Sequence, residues 1–183
     1  MRPITQQFNA QVPQVTIRRI ESPEDIAASQ ALRFRVWSEQ EGVELKNEES
    51  GLIADELDAT AYHWGAFEDD KLIGSARLSV HHELVSIPDI ELYAGLSIPL
   101  PTASLNRLVV EQAIRGKGIA RMLDEHRIQF ARNFPVKSII VAPVNRKSRV
   151  DSLLTLGLIK LDNYGVTKWS KTPVAMTAMY LLF

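Results

Sequence analysis

The chain has no cysteine among its 183 residues. That excludes disulfides, thiolate metal sites and cysteine nucleophiles, and it fits a reducing compartment such as the cytoplasm. Long apolar runs are missing too. None is long enough to span a bilayer, and Met1 to Gln14 lacks the continuous apolar stretch of a secretory signal. Aromatics make up only 7 % of the chain. They are not interleaved with the basic residues, which are spread over several elements, so neither nucleic acid nor membrane is an expected partner.

What is present is the composition of a soluble globular protein, 45 % hydrophobic and 23 % charged, long enough for one domain with a sizeable core. The net charge of −1 hides an asymmetry: residues 107–171 carry 13 Lys/Arg against 5 Asp/Glu, and the remainder 8 against 17. A basic C-terminal half suits a polyanionic ligand; two solvated faces of opposite sign is the plainer alternative.

Residues 1–14 read as a flexible lead-in and 15–183 as a single domain. Val15 to Ile20 alternates as a strand does. Ser22-Pro23-Glu24-Asp25 then supplies an N-cap, a proline for the first helical position and acids for the first turn, predicting a helix to about Gln40. Residues 41–60 are acidic and irregular, with room for a short helix. Tyr62–Glu68 and Lys71–His81 flank Asp69-Asp70 as a hairpin. Residues 83–102 form a long loop, a candidate substrate-side segment. Leu105–Val110 reads as a strand, Gly118–Asn133 as a helix with apolar residues at 3.6-residue spacing, and Ser138–Ala142 as a buried strand. Asn145–Leu156 reads as a helix closed by Gly157. Tyr164–Trp169 and Ala175–Leu182 complete the set as strands. The apolar end, Met176–Phe183, suits either core or the edge of a homodimer. The order implies a central parallel pair of strands joined by the Gly118–Asn133 helix within a mixed sheet, the crossover right-handed.

The most informative run is Arg115-Gly116-Lys117-Gly118-Ile119-Ala120. Strand, glycine-bearing turn and helix start, in that order, build an anion site. Glycine lets backbone approach a phosphate, and the first helical N–H groups lack partners within the helix. Neither a Walker A loop nor a dinucleotide fingerprint fits, because Ile119 stands where a Walker lysine would follow Gly118 and no third glycine comes at the required spacing. With its flanks, Leu108-Val109-Val110 before it and Leu123 after it, the run resembles the acyl-CoA-binding motif of the GNAT acetyltransferases, [QR]-x-x-G-x-[GA]. Arg115, Gly118 and Ala120 stand at its defining positions. The strand 138–142, Asn145 and the helix ending at Leu156-Gly157 resemble the family's second CoA segment, and Tyr62–Val80 its central hairpin.

The resemblance implies an α/β (α+β) GNAT fold, with a mixed central sheet of about seven strands flanked by helices. It also implies acetyl-CoA or another acyl-CoA as co-substrate, a small-molecule or peptide amine as acceptor, and no metal. Backbone near Leu108, Val109 and Val110 would hold the pantetheine arm as an added strand, where the strand pair splays apart. Arg115, Gly116, Lys117, Gly118, Ile119 and Ala120 would hold the pyrophosphate, with Asn145 nearby. An amine would attack the thioester directly, its carbonyl polarised by a strand N–H, while a general base takes the proton.

The catalytic positions depart from the family pattern. The tyrosine that protonates the leaving thiolate is replaced by Leu153, with Tyr93 and Tyr164 as substitutes, or the thiolate leaves unassisted. Glu111 at the end of its strand, His81 and His82 are the candidate bases. Adjacent strand residues face opposite ways, so at most one histidine enters the cleft. A second similarity, to acyl-homoserine-lactone synthases and related long-chain acyltransferases, rests on Arg33-x-x-Val36-Trp37, Asp55-x-x-Asp58, Gly74-x-x-Arg77 and Ser104-x-Asn106-Arg107. It implies a substrate-binding role for Arg77 and Arg107; the alternative is a structural ion-pair network of Arg33, Asp58 and Arg77. The functions implied are transfer of an acetyl or short acyl group, transfer of a longer chain in signal synthesis, or acyl-CoA binding without turnover.

Overall fold

The computed structural model describes residues 14–40, 42–45, 49–168 and 170–183. The expected lead-in therefore lies outside the described residues up to position 13, as do Glu41, Glu48 and Trp169. Seven strands form one mixed sheet: β1 (Val15–Ile20), β2 (Tyr62–Glu68), β3 (Lys71–His81), β4 (Thr102–Val110), β5 (Ser138–Val141), β6 (Ile159–Val166) and β7 (Ala175–Leu182). Their spatial order is β1-β2-β3-β4-β5-β7-β6. All neighbours are antiparallel except β4 and β5, the parallel pair joined by the α2 crossover (Ile119–Arg132). Helix α1 (Pro23–Ser38) begins at Ser22, whose hydroxyl accepts from the Asp25 amide at 3.1 Å, with Pro23 and two acids in the first turn. Helix α3 (Lys147–Thr155) follows β5. Among the described residues no helix is long and apolar enough to cross a membrane.

The sheet is covered on both faces. On one, α2 and α3 bury Leu123, Ile128, Val150 and Leu153 against Leu78, Leu105, Ile139 and Met179. On the other, α1 packs Leu32 and Val36 on Val109. The 83–101 segment packs Ile87, Leu92 and Tyr93 on Ile140, Met176 and Ala178. This long connection is therefore a cover with its own core and two short 3-10 turns, Leu84–Ser86 and Ile90–Tyr93.

Three boundaries and the place of one strand differ from expectation. β4 starts at Thr102, because Thr102–Ser104 is paired on both sides, to Ser79–His81 and to Ser138–Ile140. α3 starts two residues later, behind Arg146, which makes no side-chain cap. β6 spans Ile159–Val166 in place of Tyr164–Trp169. It is an edge strand with a register break between Lys160 and Tyr164, and its exposed Lys160 and Asp162 suppress the apolar pattern while discouraging edge pairing. β7 lies between β5 and β6, so the final apolar strand is interior and not a dimer edge.

Candidate active site

β4 and β5 pair only from Thr102 to Ser104 and from Ser138 to Ile140. β4 continues to Val110, whereas β5 ends at Val141. The strands therefore fork at Ser104, leaving the backbone edge of Leu105–Val110 facing an open slot. A bulge sits inside the fork. Ser75 and Arg77 of β3 pair with Val109 and Asn106, so Arg107 and Leu108 together oppose Ala76. Arg107 takes a left-handed φ of +53°. The extra residue shifts the alternation of the strand, and Asn106 and Arg107, though adjacent, both serve the polar network on the α1 face. From the opposite face Arg127 of α2, fully buried, donates one Nη1 to the carbonyls of Arg77 (2.7 Å) and Asn106 (3.2 Å) at the bulge.

At the far end of the slot the chain turns through Gly116 (φ +85°) and Gly118 (φ +81°) into α2. Met122 is the first helical amide to reach a carbonyl, that of Gly118 at 3.0 Å. The amides from Gly116 to Arg121 find no acceptor among the described residues. A run of free N–H groups at the positive end of a helix is an anion site. Arg115 ties the turn to the strand, its Nε donating to the Val110 carbonyl at 3.2 Å.

Slot and turn open into one cavity of about 610 Å³. Of the expected ligand contacts, Leu108, Val109, Val110, Arg115, Gly116, Gly118, Ile119 and Ala120 line it, as do Arg77 and Arg107. Lys117 and Asn145 are exposed and outside the lining. Asn145 is held by its amide to the Ala175 carbonyl at 2.8 Å, while its neighbours Val144 and Arg146 form the wall. Arg146 crosses to Gln40, just beyond the end of α1, at 2.6 Å. The other half of the cavity is made by the 83–101 cover (Pro88, Asp89, Tyr93), with Ser104, Ile140 and Met176.

Beneath this half runs an ion network. Asp58, almost fully buried, accepts from Arg33 and Arg77, each at 2.8 Å. Asp55 bridges Arg77 to Arg107, whose Nε and Nη2 both reach Asp55 Oδ2. The expected structural network is thus present, and Asp55 extends it to the cavity wall. Burial works against ionisation of both aspartates, but the guanidiniums overcome it: Arg77 and Arg107 hold Asp55, and Arg33 and Arg77 hold Asp58, below the ordinary carboxylate range. Below pH 3.8, where an unfolded aspartate titrates, the unfolded chain takes up protons first. The stabilisation is therefore complete above that pH and lost as pH falls through the lower folded values. Urea unfolding between pH 5 and pH 2 should show stability falling at up to about 1.4 kcal/mol per pH unit for each aspartate, with a shallower slope in Asp55→Asn.

The candidate bases separate sharply. Glu111 accepts from Arg35 (2.7 Å) and Lys71 (2.9 Å), tying α1 to the sheet outside the cavity lining. That placement argues against a base role. His82 is exposed, and His81 is buried on the opposite side of the strand, bonded to Ser104 Oγ at 2.8 Å. His63, also buried, contacts Arg33 and the Asp58 carbonyl. Leu153 is core. Of the two tyrosines offered in its place, Tyr164 is exposed and outside the lining, whereas Tyr93 lines the cavity with its phenol kept protonated by burial. Sequence reasoning missed the wall from Ile140 to Val144 and the buried charges Asp124 and Arg127. It also missed the link from His81 to Ser104, which only the β3–β4 register reveals.

The family model described as the acetyltransferase (GNAT) family matches residues 23–149. No curated protein sequence matches the chain. Solved structures share its fold at low identity. An N-acyl amino acid synthase, FeeM, from uncultured soil microbes has a TM-score of 0.66 at 15 % identity, covering 92 % of each chain. The acyl-homoserine-lactone synthase LasI has 0.61 at 16 %, covering 91 % of this chain and 89 % of its own. A Bacillus subtilis acetyltransferase in complex with CoA has 0.59 at 14 %, covering 93 % and 99 %. Identities this low carry the fold alone. Together with the matched span, the forked β4–β5 pair and the glycine turn at the start of α2, they lead to one conclusion: the chain belongs to the GNAT acetyltransferase family.

Proposed function

We propose that the protein is an acyl-CoA-dependent N-acyltransferase, moving an acetyl or short acyl group to an amine by direct attack on the thioester. One observation carries this reading: the free amides of Gly116 and of residues 118–121 and the unpaired edge of β4 open into the same cavity as a polar acceptor wall. The turn would bind the pyrophosphate, helped by Arg115 and by Arg121 and Arg146 on the cavity wall. The β4 edge from Leu108 to Val110 would hold the pantetheine by strand-like hydrogen bonds, bringing the thioester to the fork. A backbone N–H beside the bulge would stabilise the oxyanion. Tyr93 would protonate the thiolate in place of the tyrosine that Leu153 replaces. The Bacillus subtilis relative was solved with CoA, which supports this donor class.

The acceptor side favours an amine that also carries a carboxylate. Three arginines, Arg33, Arg77 and Arg107, face two aspartates. Arg107 engages Asp55 through Nε and Nη2, and its Nη1, in the cavity wall, has no partner among the described residues. Arg107 would take the carboxylate and Arg77 would hold it in place through Asp55; FeeM, an N-acyl amino acid synthase, supports this acceptor class. A longer acyl chain is the second reading, favoured by Ile140, Met176 and Tyr93 in the cavity lining.

CoA release from acetyl-CoA and octanoyl-CoA, measured against the L-amino acids, their methyl esters and polyamines, tests these readings. Turnover with free amino acids but not esters is expected. Arg107→Gln should raise KM for the amino acid about tenfold or more, the loss of one charge-assisted contact. A preference for octanoyl-CoA would favour the long-chain reading. Binding of acyl-CoA without release across the panel would mean a non-catalytic module, and no binding at all would remove the central reading.

A further inference from the structure

The acceptor wall contains a chain of hydrogen bonds with a single direction. Arg77 Nε donates to Asn106 Oδ1 at 2.7 Å, which fixes the Asn106 amide. Asn106 Nδ2 therefore points to Ser104 Oγ, 3.0 Å away. At the other end, Ser86 Oγ donates to the Glu83 carbonyl at 2.8 Å and so offers only lone pairs to His81 Nδ1, 3.1 Å away. His81 must then carry its proton on Nδ1 and present a bare Nε2 to Ser104 Oγ at 2.8 Å. With Asn106 already donating to it, the Ser104 hydroxyl has one hydrogen, and Nε2 is the acceptor waiting for it. Each of the five hydrogen bonds of the chain has one donor and one acceptor in this sense, and Ser104 Oγ keeps one lone pair for the cavity side.

The chain ends where the chemistry is needed. Ser104 is the last β4 residue paired to β5, at the base of the fork, and it lines the cavity. His81 does not line it and is 1 % exposed. We propose that Ser104 is a catalytic residue that takes the proton of the acceptor's ammonium while passing its own to His81, and that Asn106 and Ser86 are positioning residues fixing the direction of transfer. This rests on the acyltransfer reading.

The steps balance. The ammonium gives one proton to Ser104 Oγ as the hydroxyl proton moves to His81 Nε2. The freed nitrogen pair forms the C–N bond at the thioester carbon. The C–S bond then breaks with its electron pair on sulfur, and a second N–H proton ends on the thiolate. His81 returns its proton through Ser104 when product leaves. Burial, then the charge of Arg77 and that of His82, hold the His81 pKa below 6.5, so the ring is neutral and ready to accept above that pH. The flanking Thr102, Ser104 and Ser86 bring no further charge.

Two measurements test the relay. In nitrogen-15 spectra of the wild type, His81 should be the neutral Nδ1–H tautomer at pH 7.5; an Nε2–H tautomer would overturn the proposal. The second measurement is kcat/KM with acetyl-CoA across pH, using the best amino acid of the panel above and aminooxyacetate, which keeps the carboxylate but whose weakly basic amine is unprotonated near neutrality. With the amino acid, Ser104→Ala and His81→Gln should each lose about a hundredfold at pH 7 and lose the acidic limb below 6.5. With the weakly basic amine both should stay within about threefold of wild type. Equal losses with both amines, or an unchanged limb in both variants, would sink the relay while leaving acyltransfer intact. Absence of turnover by the wild type would overturn both readings together.

Discussion

Gly118→Asp should weaken CoA binding about a thousandfold while leaving the protein folded. Gly118 sits at the N-cap of α2 with φ +81° and ψ 0°. Aspartate tolerates that left-handed conformation better than most residues, at a cost of about 1 kcal/mol. Among the described residues, no heavy atom beyond its neighbours in the chain lies within 4 Å of where its Cβ would be, so the side chain meets open space and not the core. Its carboxylate would stand in the anion site. At about 4 Å and an effective dielectric near 20, two like charges repel by about 4 kcal/mol, three decades in affinity. Gly118→Asn has nearly the same shape and no charge, and should keep affinity within about tenfold. Calorimetry of CoA binding to both variants checks this. An aspartate variant binding within threefold of wild type would mean that the phosphates lie elsewhere.

That turn could be read from sequence because everything it needs is local: an apolar strand, two glycines and the start of an amphipathic helix within a short run. The succession of strands and helices along the chain was legible for the same reason, since alternation and helical spacing are short-range patterns. The acceptor wall was not. Asp55 and Arg107 meet across 52 positions, and the bulge at Arg107 breaks the two-residue period by which a strand's faces are assigned. Alternation did separate His81 from His82 correctly. It could not say that Ser104 stands beside Ser79 and within reach of His81, because that depends on the β3–β4 register. Strand β6 was misplaced because its polar and charged residues look like a loop until an edge position explains them.

Helix α2 shows the same limit in energetic form. Its apolar spacing is plain, yet Asp124 and Arg127 lie on the buried face, each 0 % exposed. Asp124 accepts from Arg127 and also from Arg149 of α3. Burial lowers the Arg127 pKa to about 10, with Asp124 opposing the shift. The cation remains charged at neutral pH, and Asp124 is the carboxylate paired with it. Asp124→Asn should therefore cost about 3–5 kcal/mol, the penalty for leaving a buried charge unpaired, a fall in Tm of about 10 °C for a chain of this length. Asp124→Leu combined with Arg127→Met removes both charges and should recover part of the loss. It should not recover all of it, because Arg127 also satisfies the Arg77 and Asn106 carbonyls at the bulge. Those carbonyls would each lose that buried donor, at about 1 kcal/mol each. Urea unfolding of the single and double variants separates the two contributions. Full recovery in the double variant would show that Arg127 serves only its ion pair. Incomplete recovery, with a raised KM for the acceptor, would show that it also holds the bulge that sets Arg107 in the cavity wall.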